Sequence, residues 1–155
     1  MAQQVVANPG LIRPPFVYLT SIVLGLLLHL VWPRQFIPRS VSTPIGAMIT
    51  VLAVVLFVFA VRTLRGAGTP VPGNRPTTAI VRAGPYRFTR NPIYLAFSLL
   101  QLGLSCWVNS LALLITLIPA VALMGLVVIP SEERYLEARF PSEYPVYKAS
   151  VRRWL

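Results

Sequence analysis

The sequence predicts an all-α integral membrane protein with about four transmembrane helices, and three observations predict it. Hydrophobic residues make up 55% of the chain and charged residues only 12%, with a mean hydropathy of +0.68, far from a soluble domain of similar length. Several long stretches contain no Asp, Glu, Lys or Arg. The fourteen Lys and Arg residues flank those stretches, where bases orient a membrane protein and meet anionic headgroups. The net charge of +10 is therefore assigned to the membrane surface, and nucleic-acid binding is not expected. One cysteine, Cys106, and one histidine, His29, leave no intrachain disulfide and no Cys or His set for a metal.

Residues Met1–Pro15 form a short polar lead carrying Arg13, read as a tail or interfacial segment. A first span covers about 16–32, stopped by Pro14-Pro15 on one side and Trp32-Pro33 on the other. No small-x-small cleavage pattern follows it, which argues against a signal peptide. His29 near its far end has two readings, a proton or ligand role and a bond to a neighbouring helix or the interface. The second span is expected at about 45–61, opened by Pro44 in a first-turn position, with Gly46, Ala47 and Ala53 offering small surfaces to a neighbour.

Arg62–Asn91 differs in composition: it holds Pro70, Pro72, Pro76 and Pro85 among Gly66, Gly68, Gly73 and Gly84. A loop of this length in a compact protein is usually functional. Between Asn91 and Ser131 there is no charge, a length of roughly 60 Å as one helix against a hydrocarbon core of about 30 Å. The segment must double back. Trp107 marks an interface and Asn109-Ser110 favours a turn and a helix start, giving spans at about 92–107 and 110–129. Gln101 and Pro119 fall inside them, as an interhelical hydrogen bond or ligand contact and as a bend.

After Pro130, Ser131 is the expected N-cap of a new helix, with Glu132 and Glu133 at the positive end of its dipole. Pro141-Ser142 restarts the chain, and Tyr144, Tyr147, Val151 and Trp154 recur at helical spacing opposite Lys148, Arg152 and Arg153. This tail suits the membrane interface. With four spans, twelve of the fourteen bases share the side of the lead, the long loop and the tail, leaving Arg34 and Arg39 on the other. The positive-inside rule then makes both termini and the loop cytoplasmic, and a multi-pass protein of a prokaryotic plasma membrane is expected.

The hairpin has a functional consequence: its two ends return the loop and the Glu pair to one membrane face. There the chain carries G-x-Y-x-x-x-R-N-P-x-Y, filled by Gly84, Tyr86, Arg90, Asn91, Pro92 and Tyr94, and E-E-x-x-L-x-x-x-F, filled by Glu132, Glu133, Leu136 and Phe140. In this order around a hairpin, the pair of motifs resembles the isoprenylcysteine carboxyl methyltransferase and phospholipid methyltransferase superfamily of integral-membrane enzymes, over roughly Gly66 to Trp154. The resemblance implies S-adenosylmethionine as methyl donor, with S-adenosylhomocysteine as product. It also implies a cofactor site built from 66–94 and 130–154, contacted by Thr78, Ala79, Ile80 and Val81, by Tyr86, by Asn91, Pro92, Ile93 and Tyr94, and by Glu132.

Those residue types suit the chemistry. A ligand with a sulfonium and an ammonium against one carboxylate needs an acidic side chain, ring faces tolerant of a soft cation and free backbone donors. Arg90 and Glu133 are the candidate catalytic residues; Arg90 either contacts substrate or pairs with Glu132 or Glu133. Arg82 and Arg87 are read as anchors to lipid phosphate, and Tyr144, Tyr147 and Trp154 as interfacial packing. The acceptor is expected to be lipophilic, a lipid amine, a thiol or a prenylated cysteine carboxylate. The isoprenylcysteine branch places a base one turn before the Glu pair where this chain has Val128, which favours the amine or thiol. Two rivals are a membrane reductase of the sterol-reductase type using NADPH and a non-enzymatic lipid-binding protein whose Glu pair caps a helix.

Overall fold

The structure, a computed structural model, describes residues 13–71 and 76–155; most of the polar lead and residues 72–75 of the long loop lie outside the described residues. Within them the chain is helical and without strands, as its composition predicts. Helix α1 is Pro14–Val31, α2 Arg39–Gly66, α3 Pro92–Trp107, α4 Leu111–Leu123, α5 Ile129–Arg139 and α6 Tyr144–Ser150. Three helices are long and apolar enough to cross a membrane, α1, α2 and the continuous Leu111–Arg139 rod, and α3 is a shorter apolar helix of 16 residues.

Helix α2 is longer at both ends than its apolar run. It begins after Pro38, so Pro44 lies inside the helix and not in its opening turn. Near an N-terminus a proline forfeits a single backbone bond, which the following apolar turns outweigh. At the other end Arg62–Gly66, expected as loop, continue the helix until Gly68, whose φ of +67° supplies the left-handed residue of a Schellman stop, with Thr69 N–H donating to Leu64 O at 3.0 Å.

The hairpin closes at Asn109, a left-handed residue with φ 54°. Its amide is fixed from the α1–α2 loop: Oδ1 accepts from Phe36 N and Ile37 N, at 3.2 and 3.3 Å, and Nδ2 donates to Ile37 O at 2.7 Å. Ser110 caps α4 by accepting from Leu113 N at 3.3 Å. From this turn α3 runs antiparallel along α2 in constant register. Gly46 lies against the Trp107 backbone, Gly103 against Thr50, and the Phe97 ring 5.4 Å from Phe57. Small residues here let two backbones approach as membrane helices often do. On the other side Gln101, fully buried, places the two N–H donors of Nε2 among Ser21 Oγ at 2.7 Å and Leu113 O and Thr116 Oγ1 at 3.2 Å. One amide thus joins α1, α3 and α4.

Two expectations fail at the C-terminal end of the hairpin. Ser131 caps nothing, because α4 runs into α5 through one wide π turn at Met124–Val128. Pro130 has no N–H to donate and its ring needs room in the preceding turn, a conflict that a π turn relieves without ending the helix. Helix α6 ends at Ser150, and Val151 is extended with φ −129° and ψ 134°, so Val151 and Trp154 do not share a helical face with Tyr144 and Tyr147.

Candidate functional site

The entry loop is shaped by Gly84, held at φ +55°, where a Cβ would stand 2.7 Å from Thr63 Oγ1. It opens a 3-10 turn, Gly84–Arg87, that buries Pro85 and Tyr86. Thr89 Oγ1 then accepts from Asn91 N–H at 3.2 Å, and Pro92 starts α3 where a missing N–H costs nothing. Tyr94 therefore leaves the first turn of α3 toward the last rod, and its hydroxyl donates to Glu132 Oε1 at 2.6 Å.

Neighbours on a helix point roughly 100° apart, and the Glu pair divides accordingly. Glu132 faces the cleft with Tyr94 as its partner. Burial pushes its carboxyl up to about 7, offset in part by the Tyr94 hydrogen bond; it lies beyond the apolar run, which ends at Pro130. Glu133 is buried among bases: Arg90 Nη1 at 3.1 Å, Arg153 Nη2 at 2.8 Å and Lys148 Nζ at 3.6 Å. Burial would raise its pKa, but the Arg153 hydrogen bond and the charges of Arg90, Arg153 and Lys148 outweigh that and hold it below the usual range. Environments that push adjacent carboxyls in opposite directions give them different work. Glu132 exchanges a proton near neutrality, while Glu133 is a fixed anion in a structural ion cluster.

These elements bound a cleft whose inner cavity is about 90 Å³ and which opens onto solvent at its mouth. Of the site residues expected from sequence, Ala79, Ile80, Val81, Tyr86, Arg90, Asn91, Pro92, Ile93, Tyr94, Glu132 and Glu133 line it. Thr78 does not. Its hydroxyl donates to Gly68 O at 3.1 Å and meets Thr69 Oγ1 at 3.0 Å, tying the loop to the end of α2.

Sequence reasoning missed part of the wall. Tyr144 and Tyr147, read as interfacial, are buried and line the cleft, with Tyr147 Oη donating to Tyr86 O at 2.8 Å; their spacing of three residues on a tail behind the Glu pair was the available signal. Leu64 was hidden by the assumption that α2 stops at Val61. Arg82, read as a lipid anchor, donates to Glu143 O at 2.9 Å and lies over the Tyr147 ring. Arg139 bonds Thr77 O at 3.0 Å, so bases of the loop and of α5 fasten the cover of the cleft.

The wall offers one carboxyl of adjustable charge, tyrosine rings and an irregular stretch, Ile80–Val81, whose backbone groups have no hydrogen-bond partner among the described residues. Arg90 also keeps a buried Nε–H with no partner among them. A polar ligand with both a cationic and an anionic group fits this inventory better than an apolar one.

The chain matches the phospholipid methyltransferase family over residues 41–143, from the start of α2 to the approach to α6. A stretch of 67 residues is 40% identical to the cobalt-zinc-cadmium resistance protein CzcN of Cupriavidus metallidurans, covering 43% of this chain and 31% of that protein. Another of 64 residues is 42% identical to an uncharacterized protein of Haemophilus influenzae, covering 41% of this chain and all of that protein. The match thus spans less than a third of the length of the Cupriavidus relative. No solved structure matches the chain. With two-thirds of its length inside the family match, α2, the entry loop, the hairpin and the Glu pair included, the chain belongs to the phospholipid methyltransferase family.

Proposed function

We propose that this membrane methyltransferase uses S-adenosylmethionine and methylates a lipophilic acceptor that reaches the cleft sideways from the bilayer. The observation that carries the reading is the junction of Tyr94 and Glu132 across the hairpin, which turns two distant motifs into one wall. The cleft is open at its mouth and lined by apolar side chains with a few convergent polar groups, the usual make-up of a cofactor site. The side chains also fit: Glu132 for the ammonium, the unpaired Arg90 Nε–H for the carboxylate, the Ile80–Val81 backbone for the adenosine, and the faces of Tyr86 and Tyr94 for a soft cation.

When bound, the cofactor supplies a methyl group on a sulfonium, already activated for in-line displacement. What remains for the protein is to hold the partners close, aligned and dry. Tyr94 holds Glu132 toward the cleft. Glu133 commits its charge to Arg90 and Arg153 and so fixes the Arg90 guanidinium in place, which makes both Arg90 and Glu133 positioning groups in this reading. Tyr86, Tyr144 and Tyr147 exclude water from the inner wall. Val128, where the isoprenylcysteine branch has a base, is buried and apolar. Nothing there would meet an acceptor carboxylate, so a lipid amine or a thiol is the proposed acceptor. Twelve of fourteen bases on the side of the site support a cytosolic active site in a prokaryotic plasma membrane.

Calorimetry on detergent-purified protein tests this. S-adenosylhomocysteine binding lost in Glu132→Ala and Tyr94→Ala is expected. NADPH binding instead would favour a reductase, and binding of neither a non-enzymatic lipid protein. Incubation with labelled cofactor and a total lipid extract then identifies the acceptor class.

A further inference from the structure

The last five residues look at first like a frayed end, since α6 stops at Ser150. They are instead bonded to both ends of the hairpin. Arg152 O accepts from Arg90 N–H at 3.0 Å. Arg153 O accepts from Thr89 Oγ1 at 3.1 Å and from Asn91 Nδ2 at 2.9 Å. The Arg153 guanidinium forks onto Glu133, Nε to Oε1 at 3.0 Å and Nη2 to Oε2 at 2.8 Å, while Nη1 reaches Gly125 O in the π turn at 3.5 Å. Trp154 packs, part-buried, on the core cluster that contains Tyr86, Tyr94 and Ile129.

These contacts hold what the local sequence leaves loose. Asn91 stands at the N-cap of α3 but makes no capping bond; its amide is engaged by the Arg153 carbonyl. Glu133 is buried, and a buried carboxylate needs good geometry from its partners. Among the described residues only Arg153 gives it a two-point fork, the arrangement that a planar guanidinium provides and an ammonium cannot. Without the tail, Asn91 and Glu133 each lose the partner that fixes their orientation, one at each end of the hairpin.

We propose that Arg153 is a positioning residue for the donor site. Its side chain clamps Glu133 and its carbonyl clamps Asn91, so that the docked tail sets the separation of the two hairpin ends and with it the Tyr94–Glu132 wall. The proposal rests on the reading of the cleft as an S-adenosylmethionine site. Because the coupling is reciprocal, a ligand in the cleft also holds the tail down.

Two readouts on the full-length protein separate the possibilities. With Trp32→Phe and Trp107→Phe, Trp154 is the sole tryptophan, and its emission reports tail docking without ligand; calorimetry with S-adenosylhomocysteine reports the cleft. Arg153→Ala should redden Trp154 emission, and Arg153→Lys, which keeps the charge and the fold but not the fork, should weaken binding by about tenfold, the scale of one hydrogen bond to a charged group. Adding Glu133→Gln to Arg153→Ala should cost clearly less than the Glu133→Gln loss measured alone, since the two share one clamp and only the hold of Glu133 on Arg90 is left to lose. Tyr94→Phe should lose affinity with Trp154 emission unchanged. Unaltered binding in both Arg153 variants, or additive losses in the double variant, overturns the proposal while leaving the cofactor reading intact. A parent protein that does not bind S-adenosylhomocysteine overturns both.

Discussion

Tyr94 and Glu132 are 38 residues apart in sequence, on different helices, and share a hydrogen bond of 2.6 Å. That bond opposes burial, which by itself would carry the Glu132 carboxyl still higher than about 7. Its folded pKa is thus raised above the usual 4.5. The sign follows: the protonated form is favoured by folding, a contribution complete below 4.5 and lost as pH rises through 7. A ligand ammonium prefers the carboxylate, so below pH 7 it must displace a proton. Affinity for S-adenosylhomocysteine should therefore climb by up to about tenfold per pH unit between 5.5 and 7 and level off above. Glu132→Gln should flatten the profile and lower the plateau. Tyr86 does not interfere, because burial pushes its phenol upward, away from this window. A flat profile in the parent protein would remove Glu132 from the ligand's environment.

Tyr94→Phe tests the same pair from the other side. Removing the hydroxyl takes away the influence that lowers the Glu132 pKa, so the midpoint of the binding profile should move to higher pH. The ring remains to cover the cleft. At pH 8 the loss in affinity should be about tenfold, as for a hydrogen bond to a charged group. Loss of affinity with an unmoved midpoint would mean that the tyrosine contacts the ligand and not the carboxyl.

Much of this site was legible because charge is so scarce in the chain. An uncharged run from Asn91 to Ser131 can only be a hairpin, and a hairpin brings its flanking motifs together whatever its helices do in detail. Pro130 misled for a physical reason: a proline after an apolar run normally marks a break, and nothing local announces that a π turn at Met124–Val128 will absorb it. The end of α2 was misjudged because Arg62 and Arg65 look like loop charges, although Gly68 in fact carried the stop signal. The tail was least legible. Its anchoring to Thr89, Arg90 and Asn91 runs largely through the carbonyls of Arg152 and Arg153, and a backbone carbonyl leaves no mark in residue type.

The α2–α3 contact predicts contrasting glycine substitutions. A Cβ on Gly103 would stand 2.7 Å from Thr50 N, backbone that cannot move aside, whereas one on Gly66 would meet nothing within 4 Å. Gly103→Ala should lower stability by about 1–3 kcal/mol, the cost of overpacking. Gly66→Ala, in the exposed last turn of α2, should raise it by about 0.4–1 kcal/mol through the unfolded chain. Thermal unfolding in detergent, followed by circular dichroism, gives both signs; a neutral Gly103→Ala would mean that the helices are not held at this distance.

Gln101 predicts a stability effect separable from binding. Its amide joins three helices deep in the bundle, far along α3 from Tyr94. Gln101→Leu keeps the volume and removes the bonds, which in membrane bundles average only about 0.6 kcal/mol each. A loss of about 1–2 kcal/mol with S-adenosylhomocysteine affinity unchanged is expected. Altered affinity at equal stability would implicate the α1–α3 interface in the cleft itself.

Orientation is tested by placing single cysteines at the two ends of the bundle. Cys106 is buried and is the only native cysteine, so Cys106→Ala gives a clean background. Gln35 is exposed in the loop whose Arg34 O accepts from Leu111 N–H at the turn end of the hairpin, and Ser142 is exposed between α5 and α6 at the cleft end. The two positions therefore report opposite faces. The excess of bases at the cleft end predicts that an impermeant maleimide labels Gln35→Cys in intact cells and Ser142→Cys only after lysis. Labelling in the reverse order would put the cleft outside the cytosol, where a nucleoside-type cofactor made inside the cell could not supply it.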